Sequence, residues 1–183
     1  MSKYDKAHFG IIRFVHETLY GVFVDPYDWL RATGLSAGQK VLEVGCGPGF
    51  FTIPAAEMVG ERGRVYAIDN NPAAVDYMKR KILRQGVTNV DVMLVDASRT
   101  GMPDGFFDTI FLFGVVHALW NQIDAVTAEA HRILRTRGVL SISKSPVPES
   151  KIIDAVSGAG KFRFMQKTCH VMNFEKLQET ESP

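Results

Sequence analysis

The sequence predicts an α/β fold in which parallel strands alternate with helices around one hydrophobic core. Two observations predict this class. Short apolar runs recur through the middle of the chain, and segments with apolar residues at helical spacing separate them. Runs that lack polar alternation are typical of parallel strands covered on both faces. With 183 residues, the chain is long enough to bury a sizeable core in a single domain.

Seven segments are predicted to form strands. Four are short apolar runs that end near glycine or aspartate, and they cover Lys40–Gly45, Arg64–Asp69, Asn89–Asp96 and Asp108–Phe113. A fifth strand is expected at Val139–Lys144. The last two form a closing pair joined by a tight turn, at Lys161–Thr168 and His170–Phe174. Strands so close in sequence can pair only in antiparallel orientation.

The helix predicted at Ala73–Gln85 has clear boundaries in the sequence. Asn71 can cap its first turn, and Pro72 suits the first helical position because its missing N–H would have no partner there. Gly86 follows the last turn, where glycine adopts a left-handed conformation at little cost. These signals predict both ends of the helix from local chemistry.

Other helical segments complete the expected single domain over residues 1–183. A helix is predicted at Ile123–Arg135, another begins near Phe50, and a short helical piece is expected near Ser150–Ser157. Residues 1–34 also place apolar side chains at helical spacing. We expect this segment to form a lid that precedes a core at residues 35–183.

The charge balance argues against a nucleic-acid partner. Lys and Arg together number 21 and Asp and Glu number 20, which gives a formal net charge of +1. Proteins that bind a phosphate backbone usually carry a basic surplus. We therefore expect no nucleic-acid partner.

The apolar and cysteine patterns narrow the setting further. The longest apolar stretch, Thr109–Leu119, is shorter than the roughly 20 residues that span a bilayer. Charged residues interrupt the N-terminal region, so no signal peptide is evident. Cys46 and Cys169 lie far apart without metal-ligand spacing. We expect no membrane span, no metal, no disulfide and a cytoplasmic location.

The most informative stretch is a glycine-rich loop after the first predicted strand. Gly45, Gly47 and Gly49 alternate with other residues just before the helix that begins near Phe50. Glycines allow a tight turn and let a ligand approach the backbone closely. Amide groups at the start of a helix attract anionic groups. The alternative interpretation is a tight turn without a ligand.

Three acidic residues accompany this loop. Glu43 lies in the first strand, while Asp69 and Asp96 close the second and third. Asp69 follows Gly49 by 20 residues, where a carboxylate can accept hydrogen bonds from both ribose hydroxyls of a nucleotide. A dinucleotide-binding dehydrogenase would carry a third glycine where this chain has Phe50. The combination is far more specific than a glycine loop alone.

At these residues the sequence resembles the class I (Rossmann-like) S-adenosylmethionine-dependent methyltransferases. The resemblance covers Lys40–Lys144 and rests on Glu43–Gly49, Asp69, Asp96–Ala97, Phe111–Leu119 and Arg132–Leu140. The last segment departs from the family pattern, because Thr136 and Arg137 replace Pro-Gly. The resemblance implies a three-layer sandwich around a seven-stranded, mostly parallel sheet whose last strand is antiparallel. Within the family, the chain is most similar to the small-molecule branch of the ubiquinone/menaquinone type.

The resemblance also implies how residues bind S-adenosylmethionine at its amino-acid end. Glu43 would support the glycine loop near that end of the cofactor. Gly45, Cys46 and Gly47 would approach it with backbone groups. Phe113, at the end of the fourth strand, would face the methionine portion through its carbonyl group.

At the nucleoside end, the resemblance implies roles for four further residues. Asp69 would bind the ribose, and Asn70 would lie beside the adenine. Asp96 and Ala97 would hold the adenine, with the carboxylate accepting its exocyclic amine.

The candidate catalytic residue is His117, just after the fourth strand at the sheet edge where ligands bind. A neutral imidazole there could take a proton from a hydroxyl group or an acidic carbon. A hydrogen-bonded histidine at a helix start is the alternative. Trp120 could line the same pocket. Aromatic residues near the N-terminus, such as Tyr27 and Trp29, could belong to the core or to a lid over the cofactor cleft.

The predicted function is methyl transfer from S-adenosylmethionine to a small-molecule acceptor by in-line displacement, with S-adenosylhomocysteine as the product. One alternative is an RNA or protein methyltransferase that needs a partner, and another is a non-catalytic nucleotide-binding module. Phe113–Val116 stands where amino-group methylators of DNA and protein carry a four-residue N/D-P-P-Y/F signature. Substrate choice would come from the small lid, the sheet edge or another subunit of a homo-oligomer.

Overall fold

A computed structural model describes residues 25–168 and 170–178 of the chain. In that part, the strands are β1 Lys40–Val44, β2 Arg64–Asp69, β3 Val90–Leu94, β4 Phe107–Leu112, β5 Leu134–Ser143, β6 Phe162–Lys167 and β7 Val171–Lys176. The helices are α1 Pro26–Ala32, α2 Thr52–Val59, α3 Pro72–Gln85, α4 Val116–Leu119, α5 Ile123–Ile133 and α6 Glu149–Ser157. A 3-10 turn at Trp120–Gln122 joins α4 to α5.

The seven strands form one sheet in the order β3-β2-β1-β4-β5-β7-β6. The pairs among β1 to β5 are parallel, and β7 is antiparallel to both β5 and β6. The predicted mostly parallel sheet with an antiparallel last strand is confirmed. The chain moves outward in one direction from β1 to β3 and in the other from β4 to β5. Ligands bind at such a switch point, outside the carboxyl ends of the strands.

Helices cover both faces of the sheet, as the predicted three-layer sandwich requires. One face packs against α5 and α6 through buried residues such as Ile123, Ile133 and Ile152. The other packs against α1, α2 and α3 through residues such as Leu30 and Met78. Each fully buried side chain of this size contributes about 1.5–3 kcal/mol to folding. Burial on both faces fixes the positions of the strand ends.

The boundaries of α3 follow the local signals in the sequence. The Asn71 side chain accepts a hydrogen bond of 2.9 Å from the backbone amide of Ala73, and Pro72 is the first helical residue. Gly86 ends the helix in a left-handed conformation with φ of 66°. The predicted capping is confirmed, and the helix begins one residue earlier than expected.

The largest difference from the prediction lies at the junction of α5 and β5. The helix ends at Ile133 instead of Arg135, and β5 begins at Leu134 instead of Val139. Leu134 is fully buried and pairs with Phe107, so burial draws it out of the helix into the sheet. The pairing then jumps to Thr109 and Val139, which leaves a bulge in β5. This bulge contains Arg137, the one non-glycine residue with positive φ in the described part of the chain.

Two further predictions lie wholly or partly outside the described residues. Most of the lid predicted at residues 1–34 precedes Asp25, so the lid and the single-domain assignment over residues 1–183 stay predictions. Cys169 is also outside the described part. The closing pair of strands is confirmed, with the boundaries of β6 and β7 shifted by one or two residues from those expected.

Candidate functional site

A cavity of about 550 Å³ opens at the carboxyl ends of the parallel strands. This volume lies in the range of small-molecule and cofactor sites. All ten predicted site residues line it: Glu43, Gly45, Cys46, Gly47, Asp69, Asn70, Asp96, Ala97, Phe113 and His117. The structure therefore brings together residues that span more than seventy positions of sequence.

The glycine loop is fixed by backbone hydrogen bonds. The amides of Gly45 and Cys46 both donate to the Ile68 carbonyl of β2, at 2.8 and 3.0 Å. Gly45 has φ of +75°, and a Cβ atom there would lie 2.4 Å from Cγ1 of Val115. Glycine is therefore required at this position both for its conformation and for space.

Gly47 differs from its neighbours in the loop, because its side toward the cavity is open. Its φ is +49°, and a Cβ atom there would meet no protein atom within 4 Å. Since Gly47 also lines the cavity, this is where a ligand can approach the backbone.

Asp69 ends β2 and connects the loop to α3. Its Oδ2 accepts a hydrogen bond of 2.9 Å from the Gly47 amide, and its Oδ1 accepts one of 2.8 Å from the Asn71 amide. Burial raises the pKa of Asp69, while these backbone donors oppose the shift. Each carboxylate oxygen can accept more than one hydrogen bond. The group can therefore hold the loop and still accept hydroxyl donors from a ligand.

Glu43 lies deep in the cavity wall and is only 3% exposed. The Thr52 hydroxyl donates a hydrogen bond of 2.5 Å to its Oε2. Burial raises the pKa of Glu43 to about 8, with a smaller contribution from Asp69, while Thr52 and Lys81 act in the opposite direction. A positively charged ligand in the cavity would favour the ionised form of this carboxyl group.

Asp96 lies in the exposed loop after β3, two residues beyond the end of the strand. The prediction that Asp96 closes this strand is wrong by those two residues, because β3 ends at Leu94. Its Oδ1 accepts hydrogen bonds from the amide and hydroxyl of Ser98, at 2.8 and 2.7 Å. These donors lower the pKa of Asp96. The carboxylate therefore favours its ionised form, and it lines the cavity together with Ala97 and Asn70.

His117 is an exposed residue of the short helix α4 and lines the cavity. Among the described residues, no hydrogen bond occupies its ring. This arrangement favours a role toward a ligand over the alternative of a structural, hydrogen-bonded histidine. The loop before α4 is anchored, because the Gly114 amide donates to the Ser143 hydroxyl at 2.9 Å.

The two tryptophans that were candidates for the cavity wall, Trp29 and Trp120, lie in different surroundings. Trp29 lines the cavity and stacks on Phe51 at a centroid distance of 5.5 Å, so it belongs to the wall of the site. The prediction that Trp120 could line the same pocket is wrong. Trp120 packs against the hydrophobic core cluster that includes Ile123 and Val126 of α5, and it is not among the residues that line the cavity.

Several residues that line the cavity were not predicted from the sequence, including Phe50, Phe51, Gln122, Ser143 and Lys144. The topology of a parallel sheet could have predicted the last two. Ser143 and Lys144 stand at the end of β5, the same edge that carries the predicted residues of β1, β2 and β4. Parallel strands place their carboxyl ends together.

The fold defines a Rossmann-like protein with a cavity of cofactor size at the switch point of its sheet. The chain belongs to the methyltransferase-domain family, which matches residues 41–138.

Two curated relatives and one solved structure illustrate this membership. The chain is 37% identical over 94 residues to aklanonic acid methyltransferase DauC of Streptomyces sp. (strain C5), covering 48% of this chain and 43% of the relative. It is 28% identical over 134 residues to the ubiquinone/menaquinone biosynthesis C-methyltransferase UbiE of Coxiella burnetii. That match covers 73% of this chain and 53% of the relative. A SAM-dependent methyltransferase from Aquifex aeolicus superimposes with a TM-score of 0.79 at 25% identity, covering 92% of this chain and 97% of that one.

The chain spans about half the length of the curated relatives it matches. The family and the fold imply S-adenosylmethionine as the cofactor. The residues present fit this group. Gly47 leaves open space for close approach, and Asp69 can accept further hydrogen bonds. The acidic side chains of Glu43, Asp69 and Asp96 suit its positive charge.

Two structural features are absent from the described residues. No helix in that part of the chain is long and apolar enough to cross a membrane. Within the same residues, no group of three or more His, Cys, Asp or Glu side chains is arranged to hold a metal ion.

Proposed function

We propose that this chain is an S-adenosylmethionine-dependent methyltransferase that acts on a small-molecule acceptor. The observation that carries the proposal is the convergence of all nine predicted cofactor residues and His117 on one cavity. The names of two relatives support a small acceptor, since one methylates aklanonic acid and the other acts in ubiquinone and menaquinone biosynthesis.

The nucleoside half of the cofactor site is assigned to β2 and β3. Asp69 accepts hydrogen bonds from the ribose hydroxyls with the lone pairs that Gly47 and Asn71 leave free. Asp96 and Ala97 hold the adenine on one side, and Asn70 lies on the other.

The amino-acid half is assigned to the glycine loop and β4. The backbones of Gly45, Cys46 and Gly47 face this end, supported by the buried Glu43, and the Phe113 carbonyl faces the methionine portion. When bound, S-adenosylmethionine supplies a methyl group on a positively charged sulfur that is already activated for transfer. The protein therefore needs to align the acceptor and exclude water, and alignment alone is worth up to roughly 7–11 kcal/mol.

His117 is assigned as the general base. Its ring lines the cavity without a partner among the described residues, so a ring nitrogen can take a proton from the acceptor. Substituting His117→Ala is expected to slow methyl transfer by roughly 10²–10⁴-fold and to leave S-adenosylhomocysteine binding unchanged. Undiminished turnover by this variant would remove His117 from the mechanism.

Calorimetry tests the cofactor assignment. S-adenosylmethionine and S-adenosylhomocysteine are expected to bind in the micromolar range, and NAD is expected not to bind. Tight binding of NAD without a response to S-adenosylhomocysteine would contradict the proposal.

Labelling tests the acceptor. Incubation of the protein with a cell extract and S-adenosylmethionine carrying an isotopically labelled methyl group is expected to place the label in a small molecule. Label found only in RNA or protein would favour the alternative acceptors. Cofactor binding without any labelled product would favour a non-catalytic module.

A further inference from the structure

We propose that Lys144 recognises an anionic group on the methyl acceptor, and that Trp29, Phe51 and Phe113 contact the apolar body of the same acceptor. The inference rests on the proposed function, because it specifies the acceptor side of the same cavity. The acceptor is then a small apolar or aromatic acid.

The acidic and basic side chains of the cavity wall come from different parts of the sheet. The acidic side chains of Glu43, Asp69 and Asp96 come from β1, from β2 and from the loop after β3. Lys144 follows β5, on the other side of the switch point. Among the described residues that line the cavity, it is the only lysine or arginine. The acidic part of the wall suits the positively charged cofactor, and the basic part is left for the acceptor.

The Lys144 ammonium group is available to a ligand. No ion pair or hydrogen bond joins it to another side chain in the described part of the chain. Lys167 of β6 is by contrast paired with Glu149 at 2.6 Å. A carboxylate bound at Lys144 would form a charge-assisted hydrogen bond, which is roughly twice as strong as a neutral one.

An aromatic wall adjoins this cation. The Trp29 ring is stacked between Phe51, at a centroid distance of 5.5 Å, and His170, at 5.0 Å. Phe113 contacts both Trp29 and Phe51, at 5.6 and 4.9 Å. The rings of this cluster pack against one another, and Trp29, Phe51 and Phe113 all line the cavity. Aromatic surfaces of this kind bind apolar, planar groups.

His170 connects the cation to the aromatic wall. The Lys144 amide donates a hydrogen bond of 2.8 Å to the His170 carbonyl, while the His170 ring stacks on Trp29. On the other side, the Ser143 hydroxyl accepts from the Gly114 amide in the loop that leads to His117. The backbone of Lys144 is thus joined to the aromatic wall through His170, and the adjacent Ser143 is joined to the loop that precedes His117.

The experiment uses the full chain saturated with S-adenosylhomocysteine, and the probes are 1-naphthoate and its neutral analogue 1-naphthamide. Calorimetry is expected to show that naphthoate binds more tightly than naphthamide. Lys144→Gln is expected to weaken naphthoate binding about tenfold or more and to leave naphthamide binding unchanged. Lys144→Arg should retain the preference for the anion. The matched control is Lys151→Gln, an exposed lysine of α6 outside the cavity lining, which should behave as the wild type.

A second variant tests the aromatic wall. Trp29→Ala is expected to weaken both probes by a similar factor, because it removes apolar contact without changing charge. Equal naphthoate affinity in the wild type and Lys144→Gln would overturn the proposal, as would equal affinity of the wild type for the two probes or no naphthoate binding. The same samples distinguish failure of this inference from failure of the proposed function. If the proposed function is wrong, S-adenosylhomocysteine itself will not bind.

Discussion

Asp69 holds two neighbouring parts of the site through one carboxylate. Its oxygens accept hydrogen bonds from Gly47 in the glycine loop and from Asn71 at the start of α3. Burial raises its pKa, while the same donors oppose the shift. A single residue therefore connects the conformation of the loop to the proposed ribose site.

Asp69→Ala is expected to weaken S-adenosylhomocysteine binding by roughly 1.5–3 kcal/mol, because it removes charge-assisted hydrogen bonds to the ribose. Calorimetry measures this change, and circular dichroism checks that the variant is folded. Asp76→Ala is the control, since Asp76 is an exposed carboxylate of the following helix α3 and does not line the cavity. Unchanged affinity in Asp69→Ala would contradict the ribose assignment.

Glu43 makes the stability of the protein depend on pH. Its pKa is raised by burial from an ordinary value of 4.5 to about 8. Between these values the folded state holds a proton that the unfolded state has lost. The free energy of unfolding therefore falls as the pH rises through this window, with a slope of at most about 1.4 kcal/mol per pH unit from this residue.

Glu43→Gln is expected to reduce this slope, because glutamine stays neutral at every pH. Urea denaturation at intervals across the window from 4.5 to about 8 measures the effect. The exposed Glu61 provides the control Glu61→Gln, which should keep the slope of the wild type. Parallel curves for the wild type and Glu43→Gln would show that Glu43 is ionised in the folded protein throughout the window.

At the scale of elements, the turn from β1 to α2 depends on close packing against the loop before α4. A Cβ atom at Gly45 would lie 2.4 Å from Cγ1 of Val115, whose branched side chain has little freedom to move. Gly86 has a similar positive φ of +66°, but a Cβ atom there would meet nothing within 4 Å. A comparison of alanine substitutions at these two glycines therefore distinguishes the cost of backbone strain from the cost of a steric clash.

Gly45→Ala is therefore expected to destabilise the protein more than Gly86→Ala. The left-handed conformation costs each variant about 1–2 kcal/mol. The clash with Val115 adds about 1–3 kcal/mol to Gly45→Ala alone. Chemical denaturation of both variants measures the difference. Equal destabilisation would mean that the loop before α4 moves aside without cost.

A comparison of α3 with the end of α5 shows which element boundaries can be predicted from the sequence. Asn71, Pro72 and Gly86 act through hydrogen bonds and dihedral angles within their own turn, so α3 is predicted to within one residue. Leu134 looks helical by its spacing, yet it is extended because it pairs with Phe107. That pairing joins residues far apart in sequence, and local periodicity does not contain it.

At the scale of the molecule, the same distinction holds for the site. Glu43, Asp69 and Phe113 were predictable because a parallel sheet collects the ends of β1, β2 and β4 at one edge, whatever the details of packing. Lys144 could have been predicted from the same topology, because β5 ends at that edge too. Trp29 could be given only two alternative places, the core or a lid, because its position depends on ring contacts with Phe51 and His170. General topology thus predicts which strand ends border the cavity, and specific long-range contacts determine the position of Trp29.

One buried side chain joins the two ends of the described chain. Asn173 in β7 is only 3% exposed, and its Nδ2 donates a hydrogen bond of 2.6 Å to the Ala32 carbonyl at the end of α1. Its Oδ1 accepts one of 2.7 Å from the Ser141 hydroxyl of β5. Since α1 carries Trp29, this amide fixes the aromatic wall of the cavity against the closing strands.

Asn173→Ala is expected to lower the free energy of unfolding by roughly 1–3 kcal/mol for each buried group left without a partner. It should also increase amide hydrogen exchange in α1 relative to α3, because only α1 loses an anchor. Exchange measured by mass spectrometry, together with urea denaturation, tests both effects. The double variant with Ser141→Ala should cost less than the sum of the single changes, since the two side chains share one hydrogen bond. Exposed Asn121 provides the control Asn121→Ala, and unchanged exchange in α1 of Asn173→Ala would show that Trp29 is positioned by its ring contacts alone.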